Sequence, residues 1–333
     1  MRPLRRSTIF GGVSGSAVAD ASVIGSLLIP WLKKLGYLAA FAAGTLAAAA
    51  SIDILIRPSI PIINYALTSN ASIGALFVAG ILAGLVLCAG FMLVCCVQGR
   101  HRGFPRDTTP FRWGRLRAEM VFAVPALALP VLIIIFLRFG IATPTEVSVM
   151  STLFAFVVSV ALYRDLTFAR LKHSIGVAGV ATAVVMLIIM ASSVVGWILT
   201  FEQLPATFVT LAQNTLGEKR MIILAMNFIM LAIGMFIDLP AAVLLLTPMF
   251  LPLAAAIGMD TVQLGILMII NLSIGLYHPP VDTTLFITGS IAQVKMGKVV
   301  IELIPFYFVA IGILLLFSFV PALTLRIWQH AVG

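Results

Sequence analysis

Charge is scarce in this sequence. Asp, Glu, Lys and Arg make up 10% of its 333 residues and hydrophobic residues 61%, where soluble domains average about 25% charged and 45–50% apolar. A chain so poor in charge cannot cover a water-exposed surface, so soluble enzymes and nucleic-acid binders are excluded. Cysteine is nearly absent: Cys88 lies inside an apolar run and Cys95 and Cys96 end it, which leaves no second cluster for a zinc site or a disulfide framework. Of the 4 histidines, His101, His173 and His330 lie in or beside loops without metal-ligand spacing. Acidic residues are fewer than basic ones, 12 against 21, for a net charge of +9. The cations sit in short loops between apolar runs, where they orient helices, so the basic balance reports topology and not nucleic acid. A signal-peptide core is also lacking. Arg5-Arg6-Ser7-Thr8-Ile9-Phe10 resembles a twin-arginine start and Ala17-Val18-Ala19 a cleavage site, but the stretch between them is rich in glycine and lacks the roughly 7–15-residue apolar core such a signal needs.

What the chain has is apolar length. At roughly 20 apolar residues per crossing, its composition supplies up to about ten membrane segments. Continuous runs at 73–97, 118–137, 146–162, 174–200, 221–237, 262–277 and 301–325 read as framework helices. Between them, 9–30, 37–68, 238–256 and 278–294 are apolar but interrupted by Gly, Pro, Ser and Asp. Irregular backbone at membrane depth survives only where protein or a water-filled cavity satisfies it, so these stretches are the places to look for a site.

The 98–117 loop carries Arg100, Arg102, Arg106, Arg112, Arg115 and Arg117 against Asp107 alone, which places it in the cytoplasm. Counting onward, Arg164, Arg170 and Lys172 return inside. Lys295 and Lys298 do so only if 221–256 is a re-entrant hairpin opening outward. Counting backward from Lys33 and Lys34, a first hairpin opens inward. The two hairpins therefore face opposite ways. Their spacings also match. Asp20 precedes Pro30 by ten residues and Asp238 precedes Pro248 by ten, each with three consecutive aliphatic residues in between, Leu27-Leu28-Ile29 and Leu244-Leu245-Leu246. Ser51-Ile52 stands seven before Pro58 as Ser273-Ile274 stands seven before Pro280. Inverted repeats with interrupted helices at matching positions point to a secondary transporter with its site at the repeat interface. The fold class is thus an all-α integral membrane protein with two inverted-topology repeats, each a re-entrant hairpin plus a discontinuous helix. The segments divide as 1–97, a shortened first repeat; 98–220, the cytoplasmic loop and connecting scaffold; and 221–333, the second repeat.

The first hairpin tip reads Gly11-Gly12-Val13-Ser14-Gly15-Ser16-Ala17-Val18-Ala19-Asp20. Small residues let the backbone turn sharply and expose carbonyls, hydroxyls and helix ends, which are ligands for small ions. The tip lacks the lysine of a phosphate loop and the order of a nucleophile elbow. A close helix-packing turn is the other reading of it.

Several motifs carry a resemblance: Gly11 to Pro30, Gly36-Tyr37, Pro58-Ser59-Ile60-Pro61, Thr143-Pro144-Thr145-Glu146, Gly234 to Pro252, Gly258-Met259-Asp260 and Asn271 to Val281, in that order. Over essentially its whole length the chain resembles the large membrane subunit of tripartite ATP-independent periplasmic (TRAP) transporters, the DctM-like permeases. The resemblance implies an elevator-type, sodium-driven importer of small organic acids such as C4-dicarboxylates in the bacterial inner membrane. It further implies a small membrane subunit and a periplasmic substrate-binding protein as partners, and no cofactor beyond sodium as coupling ion. Its hairpin tips and helix breaks surround the ion and substrate sites, which nominates Ser14, Gly15, Ser16, Pro58, Ser59, Asp238, Pro279 and Pro280, with Ser14 and Ser16 as sodium ligands. Asp20 and Asp238 are site carboxylates or caps of half-helices; both readings stay open.

The chain departs from the family pattern in two ways. It starts about ten residues before the Ser14-Gly15-Ser16 tip, whereas the family begins with further helices and the first hairpin limb. The alternatives are a start assigned too late, a separate polypeptide, or a degenerate relative that no longer transports. Inside the site, Asp53 and Arg57 replace Gly and Pro of the first break, and His278 and Asp282 replace Thr and Gly of the second. Each pair is spaced i, i+4, so on helical backbone the partners face one another and offset the cost of charge at the midplane. Either Arg57 or protonated His278 supplies fixed positive charge in place of a sodium ion, or the pairs are compensated drift. A membrane-embedded hydrolase built on Asp20, Asp238 and His278 is a further alternative, for which no nucleophile or metal spacing argues.

Overall fold

A computed structural model of the protein describes residues 17–56, 59–104, 141–164, 166–280 and 283–324, with a few positions between 113 and 139. The described residues are helical and include no strand. In chain order the helices are α1 (Ala17–Lys34), α2 (Ala39–Ile56), α3 (Ile60–Ser69), α4 (Ile73–His101), α5 (Pro144–Val157, continued by a π-helical turn Val158–Leu162), α6 (Phe168–Phe201), α7 (Leu204–Leu216), α8 (Lys219–Gly234), α9 (Leu239–Ala256), α10 (Thr261–Gly275), α11 (Thr283–Ala292) and α12 (Met296–Phe319). Among the described residues, six stretches are long and apolar enough to cross a bilayer: Ala39–Ile56, Ile73–His101, Thr145–Leu162, Phe168–Leu199, Leu239–Ala256 and Met296–Phe319. The protein is an all-α polytopic membrane protein.

Two units form. One comprises residues 1–110 with 204–333, the other 111–203. In the smaller unit α5 opens with a full capping box: Thr143 Oγ1 accepts from the Glu146 amide at 3.4 Å, and Glu146 Oε2 accepts from the Thr143 amide at 2.7 Å. Glu146 is thus a helix-start residue.

The larger unit holds both interrupted regions. The stretch 37–68 holds α2 and α3, with extended backbone at Ser59 just before α3, and the chain leaves helix after Gly275, α11 beginning at Thr283. The expectation of irregular backbone across 238–256 is not met, because α9 runs unbroken through Pro248 and Pro252. Inside a packed helical unit, neighbouring side chains compensate the hydrogen bonds a proline removes. Lys219 Nζ donates to the Gly258 carbonyl at 3.3 Å, so the start of α8 and the end of α9 lie together and the two form a hairpin closed by the 235–238 turn.

The main packed pairs in this unit obey a simple exchange. Substituting α9, α10, α11 and α12 for α1, α2, α3 and α4 turns α1·α2 into α9·α10, α1·α11 into α9·α3, α2·α4 into α10·α12 and α2·α12 into α10·α4, all of which occur. The serines in the matching sequence positions also behave alike: Ser51 Oγ donates to Ala48 O at 2.7 Å and Ser273 Oγ to Ile270 O at 2.8 Å. Glycine sets the tightest crossings. A Cβ on Gly80 would sit 2.7 Å from the Leu55 carbonyl, and one on Gly84 would collide with Ile56. The small-residue face of α4 is therefore filled by α2 of the same chain.

Candidate functional site

Breaking a helix inside a membrane frees carbonyls at the end of the first half and amides at the start of the second, and these need partners. In the second break the carbonyls are supplied. Thr284 Oγ1, in the first turn of α11, donates to Leu276 O at 2.6 Å, and Tyr307 Oη on α12 donates to Tyr277 O at 2.5 Å. The Tyr307 ring stacks on Tyr277 with centroids 5.5 Å apart and packs 4.9 Å from the His278 ring. His278 Nδ1 lies 2.7 Å from Pro279 O. A carbonyl only accepts, so Nδ1 carries the hydrogen and Nε2 is left for other partners. His278 and Pro279 are half-buried, Pro280 is exposed, and the peptide between the two prolines is cis.

The first break is less completely supplied. Ser59 is the N-cap of α3, with extended backbone at φ −110°, ψ 148° and no side-chain capping bond. It is 0% exposed, and its Oγ has no hydrogen-bond partner among the described residues. N-cap serines normally accept from the first turn, and buried hydroxyls are nearly always paired. A helix N-terminus carries partial positive charge, and a hydroxyl there can donate a hydrogen bond to an anion or a lone pair.

The nominated residues distribute as follows. Ser14, Gly15, Ser16, Arg57, Pro58 and Asp282 lie outside the described residues, and with them the Asp53–Arg57 and His278–Asp282 pairs. Asp20 is buried in the first turn of α1 at 1% exposure. Asp53 is half-buried near the end of α2. Asp238 is exposed at the N-cap of α9, where its carboxylate interacts with the Leu239 backbone amide beside the hairpin turn. No group of three His, Cys, Asp or Glu side chains converges among the described residues. Sequence reasoning passed over Tyr307, Thr284 and the buried amides Asn227 and Asn271. The amides carried a signal, as polar side chains in the middle of apolar runs. Tyr307 and Thr284 carried none, since tyrosine and threonine are ordinary in such helices.

Helices that stop and restart inside an apolar, polytopic unit are the architecture of a membrane permease. Comparison with known proteins gives the family. Residues 5–323 match the family model described as the tripartite ATP-independent periplasmic transporter, DctM component. The chain is 50% identical over 319 residues to the uncharacterized protein y4mL of Sinorhizobium fredii, covering 96% of this chain and 76% of that one. It is 35% identical over 315 residues to the 2,3-diketo-L-gulonate TRAP transporter large permease protein YiaN of Escherichia coli, covering 95% and 74%. It is 33% identical over 334 residues to the sialic acid TRAP transporter large permease protein SiaM of Vibrio cholerae, covering 98% and 76%. The chain belongs to the DctM family of TRAP transporter large permeases.

Proposed function

We propose that this protein is the membrane permease subunit of an ion-gradient-driven importer of small organic acids, C4-dicarboxylates among them, in the bacterial inner membrane. It works with a small membrane subunit and a periplasmic substrate-binding protein, with sodium as the coupling ion. The observation that carries this reading is the Ser59 hydroxyl, buried and without a partner at the N-terminus of α3. A helix N-terminus carries partial positive charge and favours carboxylates, while hydroxyls and freed carbonyls are hard oxygen ligands suited to a small cation. The relatives named for 2,3-diketo-L-gulonate and for sialic acid are both named for organic acids. Asp53, Arg57, His278 and Asp282 adapt the site in this chain, with Asp20 and Asp238 as further carboxylates at its edge.

The test is uptake of radiolabelled organic acids by proteoliposomes containing this chain and its partner subunits, with and without an inward sodium gradient. Sodium-dependent accumulation is expected. Absence of uptake from every acid, in a preparation whose fold and partner assembly are verified, overturns the reading. Uptake driven by a proton gradient alone overturns the choice of coupling ion.

A further inference from the structure

The second hairpin is joined to the second broken helix by a ladder of buried amides. Asn271 on α10 donates through Nδ2 to Asn227 on α8, at 2.8 Å to the main-chain carbonyl and 3.1 Å to Oδ1. Asn227 Nδ2 donates in turn to Ser318 Oγ on α12 at 2.8 Å, and Ser318 Oγ donates to Leu314 O at 2.7 Å. Gln263, two turns earlier on α10, donates to the Phe317 and Ser318 carbonyls at 3.3 Å each. Asn227, Gln263, Asn271 and Ser318 are all at most 6% exposed.

The polarity of the ladder is fixed from one end. The Asn227 carbonyl can only accept, so the Asn271 amide must turn its Nδ2 toward it. Asn227 Oδ1 then accepts from Asn271, which turns the Asn227 Nδ2 toward Ser318. One consequence is visible: Asn271 Oδ1 points away from the ladder and has no partner among the described residues. Buried amides in a hydrocarbon-embedded unit are costly when unmatched, so such a ladder specifies one register where apolar ridges would permit several.

The same crossing has a second fixed point further along. A Cβ on Gly275 would fall on the Gly234 carbonyl, and one on Gly234 would stand 3.1 Å from Leu272. Here α8 and α10 touch backbone to backbone. Two points of contact along one crossing fix both rotation and sliding of the two helices. Immediately beyond this crossing lie the hairpin turn 235–238 on one helix and the break beginning at Leu276 on the other. In the first repeat the position matching Asn271, by the spacing that pairs Ser51 with Ser273, is Ala49. The clamp belongs to the second repeat.

We infer that Asn227 and Asn271 are positioning residues, which lock the first limb of the α8–α9 hairpin to α10 so that the hairpin turn and the helix break face a bound substrate at a fixed separation. This rests on the reading of those two segments as part of the ligand site. Any opening of the hairpin then has to come from α9, which carries two internal prolines, and not from α8.

The experiment has two arms, one of which needs no transport. In a background with Cys88, Cys95 and Cys96 replaced by serine, spin labels are placed at Phe236 in the turn, 67% exposed, and at Phe286 on α11, 50% exposed. Electron–electron distance measurements should give one narrow distribution in the parent and a broad one in Asn271→Asp, which keeps the shape and loses the donor. Asn227→Leu should broaden it equally, and the double variant no further than either single change, because one latch can be opened only once. Ser318→Ala, which removes only the anchor of Asn227, gives a milder broadening and serves if the others fail to fold. A distribution as narrow as the parent's in the folded variants overturns the proposal. In the uptake arm, Asn271→Asp should raise the substrate KM about tenfold with a maximal rate within twofold of the parent. Broadening without a change in KM also overturns it, since the ladder would then be structural only. If the parent takes up no organic acid, the transport reading fails while the distance arm still decides whether the clamp exists.

Discussion

Replacing Ser59 by alanine should separate stability from ligand affinity, with opposite signs. The hydroxyl is fully buried and has no hydrogen-bond partner among the described residues. An unsatisfied buried polar group costs about 1–3 kcal/mol, so removing it without changing the backbone should leave the empty protein as stable or about 1 kcal/mol more so. Alanine retains the Cβ and opens at most a hole the size of one oxygen, which offsets part of that gain. With a carboxylate or cation bound, the hydroxyl gains a charged partner, and hydrogen bonds to charged groups contribute about 1.5–3 kcal/mol. Losing that bond corresponds to a roughly ten- to hundredfold rise in Kd or KM. The assay is thermal unfolding of the purified protein in detergent, scanned with and without saturating substrate and sodium. The parent should be stabilised by ligand through mass action, and Ser59→Ala should start slightly higher and gain less. Ser59→Thr, which keeps a hydroxyl, should fall between the two. If Ser59→Ala lowers the ligand-free midpoint while leaving the ligand-induced increment untouched, the hydroxyl is structural and the placement of the site at the first break is wrong.

Three other outcomes follow from the packing. Gly275→Ala forces a methyl group onto the Gly234 backbone and should cost about 1–3 kcal/mol or more, whereas Gly312→Ala, with nothing within 4 Å of its Cβ position, should be stabilising by roughly 0.5–1 kcal/mol in the same unfolding assay. Tyr307→Phe keeps the stacked ring but strands the Tyr277 carbonyl, for an expected loss of about 1–3 kcal/mol; an unchanged unfolding midpoint would mean that carbonyl finds another donor. Thr143→Ala removes the capping box of α5 and should cost about 1 kcal/mol, read locally as faster amide exchange over residues 145–147 with no change in exchange along α8 or α10.

How much of this was legible beforehand depends on the range of the interaction concerned. Hydropathy located the helices because lipid exposure demands continuous apolar runs, and the 262–277 run corresponds closely to α10 at Thr261–Gly275. It misplaced ends where polar residues continue the helix: α6 starts at Phe168, well before the run at 174–200, because Arg170, Lys172 and His173 are helical too. Proline was a poor guide to broken backbone. Pro30, Pro248 and Pro252 sit inside continuous helices, while the described departures from helix fall at Ser59 and after Gly275, where small, polar and proline residues cluster in the sequence. The long-range bonds were not readable at all. Tyr65 Oη donates to Thr261 O at 2.6 Å across 196 residues of sequence, and the Asn227–Asn271 pair spans 44; neither has a local periodicity to betray it.

The exchange among the packed pairs has a consequence for how the two breaks can act. The second half of the first broken helix, α3, packs on α9 of the second hairpin, and the second half of the other, α11, packs on α1. Gly25 of α1 lies against Ile291 and Thr288 of α11, and Lys33 Nζ at the end of α1 donates to Ala292 O at 3.2 Å. Each half-helix is therefore held by the other repeat more than by its own hairpin. The arrangement is asymmetric in one respect only the second repeat displays: its hairpin is also clamped to its own first half-helix by Asn227 and Asn271. The α8 limb of that hairpin is thus tied by hydrogen bonds to α10, while the α9 limb packs against α3.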